Sequence, residues 1–323
     1  MTATVKTKTK LNNNDQQFSQ HAPLPILSEH QLGANDYVYI LNDDMNLAAL
    51  KKLHENFTAK GVTEMDTLYI VLNTAGGLPS IAFEMANYLR LIANRIIGFI
   101  PAGVFSSGVI LAASFNELVM GGIRSHLTPI DIITDRAYTA GVGFNHDSTE
   151  NLMACYDAVI EKACDALNTV TGIILEKSKL NIVDAILASK ALTESAMRPI
   201  LEKIDPQMLG SNYRARDLAA YYLYYVLVDI RGWDTTEAWD LAKHLSRGFP
   251  SHGFRIKSVQ AKKLGLPVVE PTENDFIAMN QLAFMLDDME NFQEFSESHE
   301  LHKVGQDNGV KPANTKSNRK RSA

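Results

Sequence analysis

The stretch that decides the fold is TLYIVLNTAGG, at residues 67–77. Its first six residues are β-branched, aromatic or aliphatic, which is typical of a buried strand. The paired glycines Gly76 and Gly77 follow, and they let a ligand approach the backbone closely. A helical pattern then covers residues 78–92, with Pro79 in the first turn, where proline is well tolerated. This stretch therefore predicts a strand, a glycine turn and a helix.

The alternation of strand and helix extends outward in both directions from this stretch. Before it, Asp43 and Asp44 can cap a helix whose apolar residues follow the helical period. After it, residues 106–114 form a short apolar helix pattern. Strands are predicted at residues 37–41, 67–72, 95–100 and 117–120. Strands that alternate with helices of this length predict a mostly parallel sheet with crossover connections.

One segment raises the question of a membrane span. Between Arg95 and Glu117 lie 21 uncharged residues, about the length that crosses a bilayer. Its middle contains Pro101, Gly103 and Gly108, which would break a lipid-exposed helix. We therefore expect a buried strand, a turn and a short helix here, and no association with a membrane.

The composition excludes several other classes of protein. The chain has 323 residues, 46% of them hydrophobic, and a formal net charge of −6. Because nucleic-acid binding relies on lysine and arginine to neutralise phosphates, no nucleic-acid partner is expected. Cys155 and Cys164 lie too far apart along one predicted helix to form a disulfide, and they lack metal-ligand spacing. No signal-peptide core is evident. A cytoplasmic protein without a metal or cofactor is therefore expected.

The second half of the sequence is nearly all helical in pattern. Helices are predicted at residues 149–170, 182–191, 214–231, 235–246 and 276–292. The loop at 135–148 is either a mobile lid over a cleft or an ordinary surface connection. We divide the chain into a flexible N-terminal segment (1–35), an α/β core (36–135), a helical segment that returns to the core near residues 252–269 (136–270), a C-terminal helix (271–304) and a disordered tail (305–323).

Two turns that follow predicted strands are candidate ligand sites: Gly76-Gly77 and residues 104–108. In an open α/β sheet, ligands bind beyond the carboxyl ends of the strands. The glycine turn presents N–H groups at a helix start, where negative charge is favoured, or it is an ordinary tight strand-to-helix turn that binds no ligand. Ser106, in the second turn, is either a nucleophile or an ordinary helix cap. Because position 104 is valine, only half of the Gly-x-Ser-x-Gly elbow is present, and an α/β-hydrolase is not supported.

Several short motifs together resemble the Clp/crotonase superfold. They are Asn-Thr-Ala-Gly-Gly at 73–77, Ser-Ser-Gly at 106–108, Asn-Glu-Leu-Val-Met at 116–120 and Leu-Thr-Pro-Ile-Asp at 127–131, with further matches within 204–214 and 251–268. Within the superfold, the chain most resembles the serine dehydrogenase proteinase family, relatives of Clp protease and signal peptide peptidase A. The resemblance covers roughly residues 36–270. It implies an α/β fold with a Clp/crotonase-like ββα superhelical core and a mostly helical C-terminal half.

The resemblance also implies roles for individual residues. By position, Ser106 is the nucleophile, and the backbone N–H groups of Gly77 and Ser107 form the oxyanion hole. The chain departs from the family where Ser107 replaces the first glycine of a Ser-Gly-Gly turn and where Thr128 replaces the glycine before Pro129. Ser107 keeps its N–H, so the oxyanion hole is retained, but both changes could alter or abolish activity. Ser107 is an alternative nucleophile after a one-residue shift, although Ser106 keeps the Ser-x-Gly spacing.

The general base that a serine nucleophile needs is left open by the sequence. In Clp protease it is a histidine 25 residues after the serine, and that position here is Asp131. His126 is the nearest histidine in sequence, and its loop position predicts an exposed side chain. His252 matches a family histidine and could act as the base, with Asp131 as its orienting carboxylate. Lys162 could act instead, as in the Ser-Lys arrangement of signal peptide peptidases. A third alternative is that Asp131 is structural and no base exists.

The leading hypothesis is a serine peptidase-like hydrolase that cleaves a peptide or another acyl bond. As the resemblance implies, its partners would be a peptide or protein substrate and further copies of itself in a homo-oligomer. One alternative is a catalytically degenerate oligomeric scaffold of the same fold. Another is a crotonase-type acyl-CoA enzyme, which would use the same oxyanion hole for a thioester enolate, although no glutamate pair is evident at the expected turns.

Overall fold

The computed structural model describes residues 30, 32–131, 133–135, 146–203, 205–285 and 302–303. The predicted tail at 305–323 lies outside the described residues, as does most of the predicted flexible segment 1–35. The same holds for residues 136–145 of the predicted lid or surface loop and for residues 286–301 of the predicted C-terminal helix.

A six-stranded sheet forms the centre of the α/β half. Its strands are β1 (Tyr37–Asn42), β2 (Met65–Asn73), β3 (Ala93–Phe99), β5 (Glu117–Val119), β9 (Val268–Val269) and β10 (His302–Lys303), in the spatial order β10-β1-β2-β3-β5-β9. Neighbouring strands run parallel, except that β10 pairs antiparallel with β1. Every residue of β1 is buried, which is expected of a parallel sheet covered on both faces.

Short extended segments form a second layer, and most of them come soon after a strand of the main sheet in the sequence. β4 (Gly103–Val104) pairs in parallel with β6 (His126–Leu127). Single bridges join Met45 to Gly77, Thr74 to Val104, and Leu127 to Ile256. Each of β1, β2, β3 and β5 is thus followed by a second extended segment. These pairings bring the turns after β2 and β4 side by side.

Three helices cross over between strands of the main sheet: α1 (Leu47–Ala59), α2 (Pro79–Ile92) and α3 (Gly108–Ala113). The predicted cap of α1 at Asp43 or Asp44 is wrong, because the chain stays extended to Met45, which bridges to Gly77. Asn46 caps the helix instead, and its side chain accepts a hydrogen bond from the N–H of Ala49 at 2.9 Å.

The remaining elements form the predicted helical half. They are β7 (Ile133–Asp135), β8 (His146–Ser148), α4 (Thr149–Lys177), α5 (Ile182–Leu201), α6 (Pro206–Tyr225) with a π-helical turn after it (Val226–Ile230), α7 (Thr235–Arg247), α8 (Ser258–Lys263) and α9 (Glu273–Met285). β7 and β8 pair antiparallel. α5 has 20 residues and is twice as long as the predicted helix at 182–191, since it continues to Leu201. α6 begins at Pro206 because Asp205 caps it, eight residues before the predicted start at 214.

The hydrophobic core lies on both faces of the main sheet. On one face, side chains of β1 and β2 pack with those of α1, α2, α3 and α6. On the other face, Phe99 and its neighbours pack against Ala278, Met279 and Leu282 of α9. The predicted class, α/β with a parallel sheet and a mostly helical C-terminal half, is confirmed. Cys155 and Cys164 do not form a disulfide with each other, as predicted, and both are exposed. Among the described helices, none is long and apolar enough to cross a membrane.

Candidate active site

Ser106 lies in the turn between β4 and α3, where the sequence places it. Its φ is +48°, a left-handed conformation that no other described residue except glycine adopts. Such a conformation costs on the order of 1–3 kcal/mol and persists only where the surroundings enforce it. A strained strand-to-helix turn is also how an α/β-hydrolase elbow presents its serine. Ser106 is not the helix cap, because Ser107 occupies the N-cap position of α3.

Two hydrogen bonds from the segment after β6 hold Ser106 in place. Its N–H donates to Oγ1 of Thr128 at 2.9 Å, and its Oγ donates to the backbone carbonyl of Asp131 at 2.6 Å. Ser106 is only 7% exposed. The anchoring role of Thr128 was missed from the sequence, where this residue counted only as a departure from a family glycine. The cue available in the sequence is Pro129, because a proline restricts the residue before it to extended backbone conformations.

The glycine turn after β2 packs directly against Ser106. A Cβ on Gly76, whose φ is +100°, would lie 2.9 Å from Cβ of Ser106. A Cβ on Gly77, whose φ is +135°, would lie 2.5 Å from the carbonyl oxygen of Met45. Both distances are too short for a side chain, so both positions require glycine.

The same turn leaves an N–H available for a ligand. Met45 pairs with both neighbours of Gly77: its N–H donates to the Gly76 carbonyl at 2.6 Å, and its carbonyl accepts from Leu78 at 2.8 Å. In an extended chain, the N–H of Gly77 then points to the opposite side. Among the described residues, no hydrogen bond uses the N–H of Gly77 or of Ser107. These are the two donors that the resemblance assigns to an oxyanion hole.

Asp131 and His252 lie close together although 121 residues separate them in sequence. Oδ2 of Asp131 is 3.7 Å from Nδ1 of His252. Asp131 is 2% exposed, whereas the His252 side chain is 24% exposed. Nδ1 of His252 is buried and has no hydrogen-bond partner among the described residues. A closure of under 1 Å would bring this pair to hydrogen-bond distance, so the structure places a carboxylate where it could orient the imidazole.

The other candidates lie in different environments. Lys162 is on α4 with a side chain that is 72% exposed, and its Nζ pairs with Asp165 at 3.2 Å. The structure therefore shows Lys162 on a solvated helix face and not in contact with Ser106. Ser107 is completely buried, and its Oγ makes no hydrogen bond within the described residues. The Ser107 side chain is thus less accessible to a substrate than that of Ser106.

The expectation of an exposed His126 is wrong. His126 is 5% exposed because it belongs to β6, whose pairing with β4 carries it into the second layer. Its ring packs edge-on against Phe105, with 5.3 Å between centroids. Burial lowers the pKa of His126, and the positive charges of Arg255, Lys257 and Arg124 lower it further, while a hydrogen bond to the Arg124 carbonyl opposes them. The ring is therefore neutral near pH 7.

No protein-family model matches the sequence, and no curated protein matches it. Among solved structures, the chain is similar to a mutant of the 1510-N membrane-bound stomatin-specific protease, at 11% identity and a TM-score of 0.41. That match covers 77% of this chain and 86% of the protease. ClpP1 from Listeria monocytogenes is similar at 10% identity and a TM-score of 0.34, over 73% of this chain and 92% of that one. At these identities and TM-scores, the likeness assigns neither a reaction nor a catalytic residue.

Proposed function

We propose that the chain is a serine peptidase-like hydrolase of the serine dehydrogenase proteinase family, which cleaves a peptide or another acyl bond. The observation that carries the proposal is the strained, buried Ser106, packed against Gly76 and next to two N–H groups that have no partner among the described residues. Backbone N–H groups fixed in this way cost no reorganisation when charge develops on a carbonyl oxygen. The arrangement supports acyl transfer with Ser106 as the nucleophile.

In the proposed reaction, Oγ of Ser106 attacks the substrate carbonyl while His252 takes the hydroxyl proton. The oxyanion accepts hydrogen bonds from the N–H groups of Gly77 and Ser107. His252 then gives the proton to the leaving amine, and water hydrolyses the ester in a second round. Asp131 stabilises the imidazolium that forms in each round. His252 is preferred to Lys162 because Asp131, which lies within 3.7 Å of it, is also held to the Ser106 loop.

Labelling with a fluorophosphonate probe tests the nucleophile. We expect the folded protein to be labelled and Ser106→Ala to abolish labelling. Ser189→Ala is the matched control, because Ser189 is also buried and its Oγ also donates to a backbone carbonyl at 2.6 Å. Ser107→Ala should keep its labelling, since the proposed role of that residue is in its backbone. Absence of labelling, or labelling that survives Ser106→Ala, would contradict the proposal.

The same probe tests the base. We expect His252→Gln to slow labelling by about 10²–10⁴-fold, the usual contribution of a general base. Lys162→Gln should label at the original rate. Slower labelling of Lys162→Gln, together with an unchanged rate for His252→Gln, would identify Lys162 as the base instead.

One observation favours a second candidate, a catalytically inactive scaffold of the same fold. The hydroxyl proton of Ser106 is directed to the Asp131 carbonyl at 2.6 Å, and a carbonyl cannot act as a base. An active site must redirect this proton to His252 on binding substrate. An unlabelled protein that binds a partner equally well with and without Ser106→Ala would support the scaffold.

We also propose that the chain forms a homo-oligomer. α5 carries large apolar side chains in solvent, including Ile182 and Val183, each 61% exposed, and Leu187, 59% exposed. Several large apolar side chains exposed on one helix are typical of a protein–protein interface. Sedimentation of the protein and of a Leu187→Asp variant measures the oligomeric state. A monomer in both cases would contradict the proposed homo-oligomer.

A further inference from the structure

Thr74 is the first residue after β2, and its backbone joins the two turns of the candidate active site. It forms a parallel bridge with Val104. Its carbonyl accepts a hydrogen bond from the N–H of Phe105 at 3.1 Å, and its N–H donates to the carbonyl of Gly103 at 3.4 Å. Thr74 is 4% exposed. The backbone of Thr74 therefore fixes the glycine turn beside the turn that carries Ser106.

The side-chain hydroxyl of Thr74 holds the glycine turn itself. Its Oγ1 accepts a hydrogen bond from the buried N–H of Gly76 at 3.0 Å. Gly76 directly precedes Gly77, whose N–H is the first proposed oxyanion donor, and both glycines have a positive φ. Because glycine has the most conformational freedom of all residues, a hydrogen bond at Gly76 restricts where the next N–H points. The hydroxyl thus acts on one donor through the turn.

The side-chain methyl group of Thr74 contacts the other turn. A Cβ on Gly108 would lie 2.4 Å from Cγ2 of Thr74, so the methyl group occupies the space that a side chain at this position would need. Gly108 begins α3 and directly follows Ser107, whose N–H is the second proposed oxyanion donor. This contact gives a steric reason for the glycine of the Ser-x-Gly motif. The side chain of Thr74 therefore touches the turn of each donor.

The direction of these donors matters because they act on a single oxygen atom. Each donor must lie about 2.7–3.1 Å from the position of the oxyanion. A misplacement of about 1 Å in an active site can cost about 10²-fold in rate, even when its cause lies away from the reacting atoms. Without the Thr74 hydroxyl, the buried N–H of Gly76 would lose its partner, which is unfavourable, so the turn would have to move to find another.

We propose that Thr74 is a positioning residue, which aims the two N–H groups that stabilise the oxyanion. Its hydroxyl sets the direction of the Gly77 donor through Gly76, and its methyl group supports the turn of the Ser107 donor. This role differs from that of Thr128, whose hydroxyl accepts from the N–H of the nucleophile. The inference rests on the proposed hydrolase function for its catalytic meaning. The hold of Thr74 on the turn is measurable without catalysis.

The rate of fluorophosphonate labelling tests the catalytic part. Thr74→Val keeps a methyl group but loses the acceptor for Gly76, and we expect it to label about 10–100-fold more slowly. Only the maximal rate should fall, whereas the probe concentration that gives half of this rate should stay the same. Thr74→Ser keeps the acceptor and should label at an intermediate rate. Thr171→Val is the control on α4, where it removes a hydroxyl bonded to the Leu167 carbonyl, and should label at the original rate.

The pH profile of labelling separates positioning from a general loss of structure. Thr74→Val should lower the plateau of the profile and leave its midpoint in place, because the base pair of Asp131 and His252 is unchanged. The rate is taken from the time course of the molecules that become labelled. An unfolded fraction therefore lowers the final extent of labelling and not the rate.

Hydrogen exchange followed by mass spectrometry tests the turn without catalysis. We expect Thr74→Val to speed exchange about 2–10-fold in fragments that cover residues 75–78, as the loss of one hydrogen bond predicts. Thr74→Ser and Thr171→Val should exchange in these fragments as the original protein does.

Each other result overturns the positioning role. Labelling of Thr74→Val at the original rate, labelling of Thr74→Ser as slow as that of Thr74→Val, or a shifted pH midpoint excludes it. Failure of the hydrolase is recognised separately, because the original protein would then not be labelled at all. In that case unchanged exchange in Thr74→Val overturns the inference as well, whereas faster exchange in Thr74→Val alone supports the hold of Thr74 on the turn.

Discussion

The sheet half of the molecule and the α4–α5 helix pair use their apolar side chains in opposite ways. In the sheet, Leu68 and Phe99 are completely buried between helices of the same chain. In α5, Leu187 and Leu192 are 59% and 58% exposed, although the helix is about as apolar as α2, which packs against the sheet. The sheet half therefore buries its large apolar side chains within one chain, whereas α5 leaves many of its own in solvent.

The largest expected contrast comes from deleting an apolar side chain in each region. We expect Phe99→Ala to lower the free energy of unfolding by about 3–5 kcal/mol, because it leaves a cavity in the core. Leu187→Ala should change it by no more than about 0.5 kcal/mol in dilute protein. Urea unfolding measures both. If the effect of Leu187→Ala grows with protein concentration, a second copy covers α5. Equal effects of the two substitutions at all concentrations would remove the contrast.

A second contrast compares two glycines. Gly77→Ala should destabilise the protein by about 3 kcal/mol, since it combines a left-handed φ with a contact of 2.5 Å to the Met45 carbonyl. Gly172→Ala on α4 has open space around it and should stabilise by about 0.5–1 kcal/mol, through helix propensity. Thermal unfolding of both variants gives the comparison. A tolerated Gly77→Ala would show that the turn is not as tightly packed as described.

The smallest expected effect concerns pH and the buried His126. Its pKa is lowered from 6.5 by burial and by nearby positive charge. As the pH falls below 6.5, the unfolded chain takes up a proton that the folded chain does not, so stability decreases until the pH passes the folded pKa. His126→Gln should flatten this decrease. The readout is the slope of the free energy of unfolding against pH for the original protein and the variant, and parallel curves for the two would contradict the assignment.

The sequence predicted strands, turns and helices well where a segment has one clear pattern of apolar residues and glycines. The strand, glycine turn and helix of residues 67–92 were recognised because apolar runs and paired glycines report local geometry. The cap of α1 was misplaced by two residues or more, since it depends on the bridge between Met45 and Gly77, which are distant in sequence. The burial of His126 was missed for the same kind of reason: it follows from pairing with Gly103 of β4.

Sequence alone determined the alternation of strands and helices in the first half of the chain, the turn that contains Ser106 and the paired-glycine turn after β2. These features follow from side-chain periodicity and from the restricted backbone of each residue. Only the tertiary structure decided which distant groups meet. It brought Asp131 to 3.7 Å from His252, left Lys162 on a solvated helix and packed the side chain of Thr74 against Gly108. These contacts between residues distant in sequence depend on how strands pair across the sheet. Residue type and spacing along the chain do not specify that pairing.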